Sequence, residues 1–149
     1  MPNAIIHELL NLTPTTIREM QELMSHLSDT PCTEDALRQV VSTPHCHVYV
    51  AELEGRIVGT ATLCLFTSPL GAKASVEDVV VHPEYRGQHL GRQLMAHLLE
   101  VSRQYAPLTL QLTSRSSRQA ARALYASLGF KLKNTDFFTL SPQAAASFI

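Results

Sequence analysis

The sequence predicts an α+β fold, a mixed and mostly antiparallel sheet with helices on both faces. Three observations predict it. Two runs at helical spacing, Ile17, Met20, Met24 and Leu27, then Leu37, Val40 and Val41, come early. Strand-like segments His47–Leu53 and Arg56–Phe66 then flank a tight Glu54-Gly55 turn, as in a hairpin. Finally, Ala74–Val81 ends in Val79-Val80-Val81, a β-branched run that suggests burial on both faces. It leads through an amphipathic helix to the alternating stretch Leu108–Thr113, a βαβ unit with a right-handed, parallel crossover.

Ala4–Leu10 reads as a first strand. Thr13-Pro14 starts a helix, with Thr as cap and Pro at the first helical position. Ser28-Asp29-Thr30-Pro31 breaks that helix, and Thr33 caps a second one, whose Glu34 and Asp35 suit the positive end of the helix dipole. Pro44 closes it, and Ser68–Gly71 reads as a loop. From Gly87 or His89 a helix runs to about Tyr105, burying Leu90, Leu94, Leu98 and Val101, and Pro107 ends it. Ser117–Leu128 is a further helix with Ala121, Leu124 and Leu128 inward, stopped by Gly129. Phe130–Lys133 and Thr135–Leu140 read as the last two strands, and Gln143–Ser147 as a short helix or a tail.

A chain of 149 residues, 45% hydrophobic and 17% charged, reads as a single globular domain spanning 1–149. A net charge of −1 argues against general nucleic-acid or anionic-membrane binding, so any basic site is local. It also disfavours docking on tRNA, which needs a basic face. No apolar run approaches the ~20 residues of a membrane span. The N-terminus lacks the basic and long apolar segments of a signal peptide. Three unpatterned cysteines, Cys32, Cys46 and Cys64, suggest free thiols in a reducing compartment, so a cytoplasmic protein is expected. His45-Cys46-His47 reads as the start of a strand rather than a metal site, because no second cluster completes four ligands. No metal is expected.

The chemistry concentrates between Val79 and Arg92. After the strand and a Pro turn, Arg86-Gly87-Gln88-His89-Leu90-Gly91-Arg92 turns sharply into a helix. Gly87 and Gly91 permit unusual dihedrals or close approach. The first turn of the helix leaves N–H groups without intrahelical acceptors, and two arginines add charge-assisted contacts. Such a point suits a pyrophosphate. It is not a P-loop, since no Gly-Lys-Ser/Thr occurs, and its glycine spacing is not that of a dinucleotide fingerprint.

This stretch resembles the acyl-CoA-binding signature of the GNAT acetyltransferases, Gln/Arg-x-x-Gly-x-Gly/Ala after a strand ending in Val-x-Pro-x-Tyr. Here Val81-His82-Pro83-Glu84-Tyr85 precedes Arg86-Gly87-Gln88-His89-Leu90-Gly91, with His89 in place of the middle glycine. A second block, Ala121-Arg122-Ala123-Leu124-Tyr125-Ala126-Ser127-Leu128-Gly129-Phe130, resembles the family's Ala-x-x-Leu-Tyr-x-x-x-Gly-Phe, roughly 30 residues on. The resemblance covers roughly Val48 to Leu140. It implies the family's acyl-CoA N-acyltransferase fold and acetyl-CoA as co-substrate. Main-chain groups of Val79, Val80 and Val81 would meet the pantetheine arm and thioester, one N–H acting as oxyanion donor. Arg86, Gly87, Gln88, His89, Leu90, Gly91 and Arg92 would wrap the pyrophosphate. Tyr125 would protonate the departing thiolate, although helical periodicity alone makes it a core aromatic. Arg118 stands where the family often carries Asn, and either reaches a CoA phosphate or is a solvated first-turn residue.

An amine acceptor, with a pKa of ~10, must lose a proton before attack. Strand alternation sends Glu77 and Asp78 to opposite faces, so one at most faces the amine. Glu77 is preferred because family members use acids at this place, with His82 and His47 as alternatives. Cys64 reads as a small buried residue rather than an acyl carrier, for no partner is identifiable to activate it. The resulting expectation is an N-acetyltransferase that moves acetyl from acetyl-CoA to a primary amine, of a small molecule rather than a protein. The other reading is a non-catalytic acyl-CoA-binding module, motivated by His89 and Arg118. A homodimer is left open.

Overall fold

The computed structural model describes residues 3–105 and 107–147, so Met1 and Pro2, the start of the segment read as no signal peptide, lie outside the described residues. The chain forms two compact units, Met1–Ser114 and Arg115–Ile149.

The first unit is built on a five-stranded sheet in the order β1 (Ile5–Glu8), β2 (Cys46–Leu53), β3 (Arg56–Ser68), β4 (Gly71–Val81) and β5 (Thr109–Gln111). The first three pairings are antiparallel and β4–β5 is parallel, as expected of the mixed sheet. Glu54 and Gly55 join β2 to β3 with φ of 50° and 79°, the two left-handed dihedrals that a type I′ hairpin requires. The segment expected as a loop at Ser68–Gly71 is tighter than expected. Ser68 pairs with Gly71, and the strands run right up to Pro69-Leu70.

Helix α1 (Pro14–Ser25) starts at a reciprocal Thr13–Thr16 capping box, and α2 (Glu34–Ser42) at Thr33, whose hydroxyl accepts from the Ala36 N–H. Their inward side chains Ile17, Met20, Leu23 and Leu37 pack on Val48, Val50, Ile57 and Val80 of one sheet face. Helix α3 (Leu90–Ser102) covers the other face, burying Leu94, Met95 and Leu98 completely and setting Leu90 against Leu53 and Val58. The close approach is visible at Gly59 of β3, where an added Cβ would lie 3.1 Å from Leu94 Cδ1. A 3₁₀ turn, Arg103–Tyr105, continues α3 to the expected end.

The second unit holds α4 (Gln119–Ser127) and α5 (Pro142–Ala146), the latter capped by Ser141. The two strands expected at Phe130–Lys133 and Thr135–Leu140 do not form. A strand needs a ladder for its N–H and C=O groups, and the described residues of this unit supply none. Leu132, Phe137, Phe138 and Leu140 are accordingly exposed, and Phe137-Phe138 breaks the alternation a half-buried strand would need.

Candidate active site

The site starts from the last three residues of β4. The His82 N–H donates to the Val58 carbonyl at 2.8 Å. That bond sets the alternation of the ladder, so Val80, opposite Thr60, also directs its main-chain groups into β3. Val79 and Val81 then direct theirs away from β3. On that side β5 pairs only with Lys73–Ser75, and beyond Ser75 no strand covers β4 among the described residues. The two strands part, leaving a main-chain edge that can pair with an extended amide-bearing ligand.

Beyond Val81 the chain enters a braced turn. His82 begins a 3₁₀ turn, Pro83–Tyr85, and its Nδ1 accepts from the Glu84 N–H. That acceptor role puts the ring proton on Nε2, which donates to Glu22 of α1 at 3.0 Å. Glu22 also meets Arg56 at 3.4 Å, and Arg56 lies over the Tyr85 ring, 5.6 Å from its centroid. One carboxylate therefore ties α1 to the start of the loop. Glu22, His26 and His82 bring potential metal-ligand atoms within 4.8 Å of one another. The His82 tautomer nevertheless leaves Nε2 no lone pair for an ion. The bond from His82 is the chief reason the Glu22 carboxyl is held below its usual value, with Arg56 adding to it. An acid so depressed stabilises the fold above the usual carboxylate range and loses that contribution as pH falls through its lowered pKa. Glu22→Gln keeps an acceptor for His82 but no charge. It lowers the melting temperature at neutral pH, and the gap from the parent closes in strong acid. A gap that is constant with pH would show that the charge contributes nothing.

Arg86 folds back, its Nε donating to the Val81 carbonyl at 3.2 Å. Gly87 then turns the chain at φ 82°, with nothing within 4 Å of an added Cβ. His89 takes the left-handed conformation at φ 62° as the N-cap of α3 and makes no side-chain cap bond. Whereas Thr13 and Thr33 cap α1 and α2, the first turn of α3 has neither a capping side chain nor an acid. Its N–H groups and the positive end of its dipole stay available to an anion. Glycine reaches this conformation without strain, and His is among the side chains that also visit it. His89 thereby preserves the turn.

Beside this loop the sheet is irregular. Thr60 pairs with Val80 but Thr62 with Glu77, so β4 carries one extra residue opposite Ala61. Asp78 adopts φ 52° there, a bulge that re-aims its neighbours. The expectation that Glu77 and Asp78 face opposite ways rests on unbroken alternation, and the bulge removes it. Both carboxylates act electrostatically on Cys64, and Asp78 also on Cys32 between α1 and α2. Glu77 accepts a hydrogen bond from the Ser75 hydroxyl, 2.5 Å away. Partial burial first, and Glu77 second, raise the Asp78 carboxyl. The two alternatives are engaged elsewhere. His47 bonds Glu8 at 2.8 Å on the α3 face, and the Nε2 proton of His82 is given to Glu22.

In the second unit, Leu-Tyr-x-x-x-Gly-Phe is a helix terminator. The Phe130 N–H donates to the Tyr125 carbonyl at 3.0 Å, the Gly129 N–H to Ala126 at 3.1 Å, and Gly129 has φ 97°. These bonds make a Schellman motif, and its apolar contact is the edge-on pair of Tyr125 and Phe130, with centroids 6.0 Å apart. The Tyr125 ring is thus fixed by the end of its own helix. Burial raises its phenol above the ordinary value, and the Arg118 charge opposes this. Arg118 itself is the N-cap of α4.

The profile of the acetyltransferase (GNAT) family matches residues 8–130. The chain belongs to the GNAT acetyltransferase family. It is 32% identical over 144 residues to the glucosamine 6-phosphate N-acetyltransferase of Trypanosoma brucei brucei, covering 88% of this chain and 93% of that one. It is 30% identical over 122 residues to the N-alpha-acetyltransferase RimI of Mycobacterium tuberculosis, covering 80% and 75%. Among solved structures, a Trypanosoma brucei acetyltransferase superposes with a TM-score of 0.74 at 26% identity, over 93% of this chain and 100% of the other. The Arabidopsis thaliana glucosamine-6-phosphate N-acetyltransferase shares the fold with a TM-score of 0.77 at 20% identity, over 92% and 97%.

This GNAT protein is therefore an acetyl-CoA-dependent N-acetyltransferase whose acceptors are amines. The uncapped helix, the left-handed turn and the parted β4 edge suit the co-substrate's diphosphate and amides. Sequence reasoning did not find the bulge or the Glu22–His82–Arg56 brace. A bulge leaves no period-2 signal of its own, and Glu22 stands 60 residues from His82.

Proposed function

We propose that the acceptor is the primary amine of a small molecule and that acetyl passes by direct attack in a ternary complex. The observation that carries the co-substrate half is the α3 N-terminus, left without a capping side chain at the end of the open β4 edge. The acceptor half draws on the relative named for glucosamine 6-phosphate, whose length this chain matches almost throughout. A protein α-amine is the competing acceptor, favoured by the likeness to the N-alpha-acetyltransferase.

In this reading the N–H groups around His89, Leu90 and Gly91 hold the diphosphate, with Arg86 and Arg92 adding charge at the loop's ends. Acetyl-CoA supplies the thioester. The outward N–H of Val79 or Val81 receives the oxyanion, and Val80 holds the strand in register. Glu77 takes the proton of the ammonium, directly or through water, and Asp78 is the alternative at the bulge. The raised carboxyl of Asp78 brings it closer to the poise a base needs near neutral pH. The neutral amine attacks the carbonyl carbon, and the carbon–sulfur bond breaks. Tyr125 gives its proton to the departing thiolate. A cytoplasmic location fits the three free thiols.

Pools of small amines and of peptides with free N-termini, incubated with acetyl-CoA, decide the acceptor. A small amine should gain the mass of one acetyl group as free thiol appears. Acetylation confined to peptides overturns the small-molecule reading. Stabilisation by CoA with no thiol release from either pool leaves the binding module. Gly91→Asp separates the co-substrate site from the fold. An acid in the first turn of a helix favours the helix by about 0.3–1 kcal/mol, so stability holds. The same charge repels the diphosphate and weakens acetyl-CoA binding by about tenfold or more, roughly 1.4 kcal/mol. An unchanged Kd by calorimetry would move the phosphates elsewhere.

A further inference from the structure

Cys46 and Cys64 stand opposite each other on β2 and β3, with their sulfurs 3.7 Å apart. One residue further on, the Leu65 N–H donates to the His45 carbonyl at 2.8 Å. Residues 45 and 65 are thus the hydrogen-bonded pair, which makes Cys46 and Cys64 a non-hydrogen-bonded pair. Such residues bring their Cα atoms to ~4.5 Å. Disulfides span Cα separations of about 4.4–6.8 Å, so the strands already hold a bridgeable spacing. Both side chains share the face of Val48, the one covered by α1 and α2, and both thiols are half-buried. The next residue across the sheet from Cys64 is Ser75, which holds Glu77. Burial first, and the hydrogen bond with Cys46 second, push the Cys64 thiol up to about 12, so the exchange does not open at Cys64.

We propose that Cys46 and Cys64 are a reversible oxidation site that closes to a cross-strand disulfide by exchange with a low-molecular-weight disulfide. The Cys46 thiol loses its proton, and its thiolate attacks one sulfur of the incoming disulfide. One small thiol leaves, and a mixed disulfide remains. Cys64 then loses its proton and attacks the Cys46 sulfur, and the second small thiol leaves. The protein gives up two hydrogens, and the oxidant is reduced to two thiols. The product staples β2 to β3 in the row that carries Ser75. Cys32 takes no part, since it lies between α1 and α2 against the helix core.

The test treats the full chain with oxidised glutathione, alkylates it, and reads intact mass and a non-reducing peptide map. Alkylation should fall from three cysteines to one, with a peptide pair joined through Cys46 and Cys64 and full reversal by dithiothreitol. Cys32→Ser should close to the same extent. Cys46→Ser, and separately Cys64→Ser, should stop at a mixed disulfide or stay unmodified. Three alkylatable cysteines after oxidation, a lasting mixed disulfide on the parent protein, or a link to Cys32 would each overturn the proposal. None of these readouts uses acetyl transfer, so their outcome is separate from that of the acceptor assignment.

Discussion

Tyr125→Phe should lower kcat by about 10²–10⁴-fold, the usual contribution of a positioned general acid, which is the role proposed for Tyr125, while the affinity for acetyl-CoA changes little. The hydroxyl is the only group removed. Phe keeps the ring that packs edge-on against Phe130, and the Schellman bonds run through main-chain atoms. Stability should therefore stay within about 0.5 kcal/mol of the parent. Burial raises the phenol above its ordinary value, so the proton to be donated is present throughout the neutral range. The Tyr125 limb of the profile should lie in alkali, turnover falling as pH rises through that raised value. Arg118→Ala removes the charge that opposes the shift and should move this alkaline limb higher still. Steady-state kinetics over pH, set beside melting curves, check all of this. A variant with parental kcat would return Tyr125 to the role of a core aromatic.

Leu94→Ala costs about 3 kcal/mol, within the range for truncating a buried Leu. Leu94 is fully buried, and its Cδ1 lies 3.1 Å from where a Cβ on Gly59 of β3 would stand, so helix and strand are in close contact. No neighbour on a β-strand can collapse freely into the space left, so the cavity persists. A loss of this size is a large part of the 5–15 kcal/mol typical of a whole domain. Urea unfolding would show it as a lower midpoint with an unchanged slope. Saturating acetyl-CoA should raise the variant's midpoint by mass action, as it does the parent's. A variant as stable as the parent would mean that α3 does not rest on β3 through this residue.

Much of this molecule could be read from local signals. Thr13-Pro14 and Thr33 start their helices because a hydroxyl cap acts within three residues. Glu54-Gly55 makes its hairpin because two left-handed dihedrals suffice. The loop from Arg86 to Arg92 is legible for the same reason, since a short stretch builds the turn and the uncapped helix together. The departure at His89 proved conformationally mild, as His is among the side chains that visit the left-handed region it adopts.

The misreadings have one cause. Phe130–Lys133 and Thr135–Leu140 carry strand-like composition, but a strand exists only with a partner, and composition cannot name one. Alternation sends Glu77 and Asp78 to opposite faces only while every residue on one strand meets one on the next, and the bulge breaks that condition.

The sequence by itself determined the helices, the hairpin, the family and the turn from Arg86 to Arg92, because each is encoded by residues within a few positions of one another. Only the tertiary structure decided that a bulge interrupts the alternation at Glu77 and Asp78, how Glu22 of α1 braces His82, and that Cys46 meets Cys64. Those relations depend on strand register and on contacts between distant segments, which form only when the burial of the core aligns one strand against the next.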